Sequence, residues 1–139
     1  MGLKKFSVFV MMMAILSAIP SCSEADHRPE YQFQDTVNAV LAEYDLEPVE
    51  VVFRDLDNMV GAVECLPTNN QCDIVFDPCV FRLSYRLQQN IAVHEAAHYV
   101  NAQINLMYDH GRQWRQIVRG AGQWAYVEYP SRKTLACRD

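Results

Sequence analysis

Several features are missing from this chain of 139 residues, and each absence narrows the reading. No apolar run reaches the ~20 residues that a helix needs to cross a bilayer. The most apolar stretch, Phe6 to Ile19, is 14 residues long. Positive charge is short: 12 Lys and Arg stand against 17 Asp and Glu, a net of −5. That balance argues against a global attraction to nucleic acid. The five cysteines show no paired C-x-x-C spacing, which disfavours a zinc site built on thiolates. No internal repeat or low-complexity tract follows the N-terminal segment. What remains is a chain half hydrophobic and 21% charged, the balance of a globular protein. Its length suits one domain with a single core.

The N-terminus reads as an export signal. Lys4 and Lys5 precede the apolar run, and Ile19-Pro20-Ser21-Cys22 leads into the polar Ser23-Glu24-Ala25-Asp26. This is the charged, apolar, small-residue order of a secretory leader. Residues 1–21 are the expected signal, with Cys22 as a lipidated mature N-terminus in the manner of a bacterial lipoprotein; cleavage after Ala25 is the alternative. The chain does not fit N-myristoylation, since Phe6 stands where Ser or Thr is required. Residues 22–30 form a tether and 31–139 the folded domain. Loss of the two signal lysines leaves 10 basic residues against 17 acidic ones, a net of −7. The expected location is the bacterial cell envelope, lipid-anchored and periplasm-facing, or the exterior if Cys22 carries no lipid. The expected partners are a protein or peptide substrate and a membrane reached through Cys22, without nucleic acid.

Cysteine usage agrees with export. Cys65, Cys72, Cys79 and Cys137 suggest two disulfides in an oxidising compartment. Cys72 and Cys79 flank an extended segment that would hold them ~20 Å apart, beyond the ~7 Å that a disulfide allows. Cys65–Cys72, across a turn-rich loop, and Cys79–Cys137 are therefore the expected pairs.

Periodicity lays out the elements. Phe33, Val37, Val40, Leu41 and Tyr44 recur at helical steps, predicting a helix from Tyr31 to Asp45 that stops before Pro48. Val49–Phe53, Val60–Cys65 and Cys72–Phe76 read as strands, the last two joined as a hairpin around Asn69-Asn70. Asp77-Pro78 breaks the chain or starts a helix. A long helix is predicted from Ser84 to Ile104, with Leu87, Ile91, His94 and His98 on one side. Another runs from His110-Gly111 to Arg119, and the tail from Trp124 adds an extended segment. Arg112, Arg115 and Arg119 share one helical face, read as a solvated surface. The order is α+β: an N-terminal helix, a three-stranded sheet, then two helices.

The chemistry concentrates in His94-Glu95-Ala96-Ala97-His98. Two histidines four apart on a helix lie one turn apart on the same face and can converge on one ion. Zinc accepts such nitrogens, and Glu95 is set to take a proton from water that the metal activates. A catalytic zinc usually takes three protein ligands. His110, 12 residues after His98, is the candidate third, since the remaining histidine is His27 in the tether. Glu128 competes for that place, and Asp109 follows as a weaker ligand or as a group orienting an imidazole.

His94-Glu95-x-x-His98 followed by His110-Gly111-x-x-Trp114 resembles the SprT-like metallopeptidase family, which includes Spartan, over roughly residues 31–122. The resemblance implies Zn2+ held by His94, His98 and His110, Glu95 as the catalytic residue, and Trp114 as a packing residue. Some members carry a C-terminal zinc ribbon, and many work on proteins at DNA inside cells. This tail offers only Cys137, and the acidic exported chain suits the peptidase chemistry without the DNA-linked role. Peptide hydrolysis by metal-activated water is the expected function; a zinc-binding envelope lipoprotein without hydrolysis is the alternative, and it would not need Glu95. An extended substrate is expected to add to the sheet at Cys72–Phe76, with Tyr126 or Tyr129 near the oxyanion.

Overall fold

The structure is a computed structural model and describes residues 29–69 and 71–121. Helix α1 spans Pro29–Ala42, and strands β1, β2 and β3 span Val51–Phe53, Gly61–Cys65 and Cys72–Phe76. A 3-10 turn over Pro78–Arg82 leads into α2, Tyr85–Asn105, and then α3, Arg112–Gly120. This is the α+β architecture that the periodicity predicts, with three helices on a three-stranded sheet. The expected signal, Cys22, the tether up to Arg28, and the tail with Tyr126, Glu128, Tyr129 and Cys137 lie outside the described residues.

Local chemistry sets the ends of α1. Pro29 opens it, where a missing N–H costs nothing, and Glu30 sits in the first turn, favourable to the helix dipole. The helix therefore begins inside the stretch expected to be tether. It ends before Asp45, which takes a left-handed conformation (φ 56°) as a helix-stopping cap, while Leu46 donates its N–H back to Leu41.

The buried face of α1 carries Phe33, Val37, Val40 and Leu41. Phe33 lies at the centre of an aromatic cluster, 4.8 Å from Phe76 and 5.9 Å from both Phe53 and Phe81. Polar side chains align the same helix with its neighbours. Gln34 accepts from Val51 N–H at 2.9 Å and donates to the Val49 carbonyl. Asn38 accepts from Val49 N–H at 3.3 Å, and Thr36 reaches Gln89 on α2 at 2.7 Å. Val49 is thus bound to helix side chains instead of a strand ladder, and β1 is shorter than its β-branched run suggests.

The sheet order is β1-β3-β2. β3 pairs in parallel with β1 and antiparallel with β2. This corrects the expectation that Cys72–Phe76 offers an edge to substrate: it is the central strand, with Cys72, Ile74, Val75 and Phe76 buried. Its second partner, Val51–Phe53, comes from far upstream, so the hairpin alone does not show that the outer side is filled. Asp77, itself buried, fixes the linking segment by accepting from Leu56 N–H at 2.8 Å and Cys79 N–H at 2.9 Å.

Among the described residues β2 is instead the edge strand, with β3 as its one partner. Val60 accepts from Asp77 and Gln71 from Leu66 across the ladder, at 3.0 and 2.8 Å. In that register the even-numbered residues of β2 bond to β3, and Gly61, Val63 and Cys65 turn their backbone N–H and C=O groups outward. The hairpin is closed by the Cys65–Cys72 disulfide, as expected from spacing. Cys79 is also disulfide-bonded. Its expected partner, Cys137, lies outside the described residues.

Phe33→Ala should lower unfolding stability by ~3–5 kcal/mol, the cost of emptying a buried aromatic site. A urea titration followed by tryptophan fluorescence checks this as a lower midpoint with an unchanged slope.

Candidate metal centre

α2 brings two of the expected ligands together by its own repeat. Ile91, Ala92, Val93, Ala96, Ala97 and Val100 are buried, so the middle of the helix is enclosed on most sides. The small Ala96 and Ala97 let neighbouring elements approach closely. Within this apolar wall the ring of His94 is buried and that of His98 half-buried. Their Nε2 atoms lie 3.2 Å apart.

His110 arrives from outside the helix. α2 closes at Leu106, which adopts a left-handed conformation (φ 53°) and donates its N–H to Ala102. The chain then turns back, and α3 starts two residues after His110. The His110 Nε2 stands 3.0 Å from that of His98 and 3.1 Å from that of His94. A tetrahedral ion bound at ~2.0–2.1 Å holds its ligand nitrogens ~3.3 Å apart, so this triangle fits one ion with little adjustment. The three histidines form a group able to hold a metal.

Trp114 supports all three rings. It is 4% exposed, with ring centroids 4.7, 5.3 and 4.5 Å from His94, His98 and His110. The indole nitrogen is buried with no hydrogen-bond partner among the described residues. The packing role implied by the His-Gly-x-x-Trp spacing is therefore found, extended from one histidine to three.

Glu95 is 3% exposed and lies against the start of β2. A Cβ on Gly61 would stand 2.8 Å from Glu95 Cγ and 2.9 Å from Oε1. A side chain there would force the Glu95 carboxylate to shift. Sequence reading misses this residue, because the contact joins positions 34 apart and a glycine opening a strand carries no sign of it. Asp109 touches the site indirectly: its carboxylate accepts from Gly111 N–H at 3.1 Å and its charge acts on His98. Glu128, the rival third ligand, lies outside the described residues. Arg112, Arg115 and Arg119 are exposed on the outer side of α3, as a solvated face would be.

Burial and the neighbouring rings disfavour the charged forms of His94 and His98. Burial first, then the neighbouring His98 and His110, lower the His94 pKa to about 3. Burial and His110 lower that of His98 to about 4, against the opposing pull of Asp109. A neutral imidazole is the form that binds a metal. Between the ordinary histidine pKa of ~6.5 and these values, the unfolded chain takes up protons that the folded chain refuses, so stability falls with pH across that window. The metal-free protein should therefore melt progressively lower from pH 7 to pH 4, and His98→Asn should flatten the decline. Thermal unfolding in chelator-treated samples checks both.

No curated protein and no solved structure matches this chain. A family model, described as SprT-like family, matches residues 26–134 and so covers the sheet, α2 and the three histidines. With most of its length matched, and with the histidine cluster of a metal-dependent fold at its centre, the chain belongs to the SprT-like family.

Proposed function

We propose that this chain is a zinc metallopeptidase that hydrolyses peptide bonds, with His94, His98 and His110 as the metal ligands and Glu95 as the general base. The observation that carries the reading is the triangle of ring nitrogens, 3.0–3.2 Å on each side, two of them from the turns of α2 that flank Glu95. A bound zinc supplies a Lewis acid that acidifies water and polarises the scissile carbonyl. Glu95 accepts the proton from the attacking water and passes it to the leaving amine. Trp114 and the apolar face of α2 exclude bulk water from one side of the reaction.

The substrate strand belongs on β2. Of the edge residues whose N–H and C=O groups β3 does not use, Val63 and Cys65 are half-buried and can pair with an extended peptide, while Gly61 is buried. Because Gly61 touches Glu95, that edge begins at the general base. Main-chain pairing of this kind accepts many sequences, which suits a peptidase with loose side-chain preference. The disulfide between Cys65 and Cys72 fits an oxidising compartment and supports the proposal of an exported protein, held at the membrane by a lipid on Cys22.

Glu95→Gln should retain stoichiometric zinc while losing peptidase activity by roughly 10²–10⁴-fold, the usual contribution of a general base. Casein hydrolysis together with metal analysis reads both; full activity in the variant rejects the mechanism, and inactivity of the zinc-loaded native chain leaves a zinc-binding protein without hydrolysis. Gly61→Val, which places a side chain where the carboxylate sits, should lower kcat with zinc content unchanged.

A further inference from the structure

The third histidine is the one that α2 does not set. His94 and His98 take their places from the helical repeat, whereas His110 is exposed and hangs on a loop whose first residue, Leu106, is in a left-handed conformation.

Asn101 sits one turn beyond His98 and is fully buried, at 0% exposure. Its side-chain Nδ2 donates to the Asp109 carbonyl in a long contact of 3.5 Å. Its Oδ1 accepts from Asn105 Nδ2 at 2.9 Å, which leaves Nδ2 as the group aimed at the loop. Its backbone carbonyl accepts from Met107 N–H at 3.4 Å. Two of the three contacts reach the loop that delivers the ligand, at Met107 and Asp109, and the third ties the amide to Asn105, the last residue of α2. Beyond His110, Arg115 Nε donates to the His110 carbonyl at 3.0 Å. A buried amide carries a desolvation penalty that an aliphatic side chain would avoid, so an amide at this depth points to a task for its hydrogen bonds.

We infer that Asn101 is a positioning residue of the metal centre, which acts by fixing the loop that holds the His110 ring beside the other two. The inference rests on the reading of the three histidines as a zinc site. It extends the functional stripe of α2 by one turn, from His94 and His98 to Asn101 and Asn105.

The test measures metal binding by the full chain and needs no peptidase activity. Zn2+ affinity is read by competition with a chromogenic chelator, and the Co2+-loaded protein gives visible bands that report ligand geometry. Asn101→Leu should weaken zinc binding by roughly 10–100-fold, the usual cost of losing a group that orients a ligand, and should alter the Co2+ bands. In a His110→Ala background the same change should matter by less than about twofold, since the ligand through which it acts is gone. Asn105→Ala, at an exposed position, should weaken binding in the same direction by a smaller factor without lowering the unfolding temperature. An equal loss in both backgrounds would assign Asn101 a purely structural role and overturn the inference. So would unchanged affinity in Asn101→Leu. If Asn101→Leu does not fold, Asn105→Ala decides: unchanged affinity and unchanged Co2+ bands reject the inference. A native chain that binds neither ion rejects the zinc reading itself, and the inference with it.

Discussion

Three ring nitrogens lie within 3.2 Å of one another, and the rest of the domain is arranged around keeping the two on α2 uncharged. Imidazolium ions at this spacing would repel strongly, and the burial of His94 and half-burial of His98 remove much of the water that would screen them. The surrounding structure meets the requirement with apolar surface. α2 runs through the core with its middle enclosed, and Trp114 lies against all three rings. The depressed pKa values of His94 and His98 express the same constraint: the protein keeps these rings ready to bind a cation by making it costly for them to bind a proton.

The division of labour among the elements follows. α1 and its aromatic cluster with Phe53, Phe76 and Phe81 hold the sheet, and the sheet carries Gly61 to the carboxylate of Glu95. α3 buries Trp114, Ile117 and Val118, and the loop that precedes it supplies the remaining histidine. A few strand residues and one long helix thus specify most of the centre, and the less regular part is secured by side chains.

Much of this was legible in the sequence, for identifiable reasons. The helices announce themselves through three- and four-residue apolar steps, and a five-residue motif on one of them has a single geometric meaning. Spacing was enough to predict the Cys65–Cys72 bridge, because a short turn-rich loop brings its ends together. The central position of β3 was hidden, since its parallel partner β1 lies more than twenty residues upstream and parallel pairing leaves no local turn. Gly61 was hidden for a similar reason. Asn101 continues the stripe of His94 and His98 at a step of three, and a polar residue on a buried stripe was the available sign. Glu128 and the two tail tyrosines belong to the segment that the described residues do not include.

The donor set has a consequence for the cell as well as for the chemistry. Three neutral nitrogens with no thiolate among them do not by themselves favour zinc: in such surroundings divalent copper binds more strongly, and nickel and cobalt are serious competitors. Which ion fills the cluster is then decided by what the compartment supplies as the chain folds. A protein of this design depends on metal homeostasis around it for its identity as much as on its own residues.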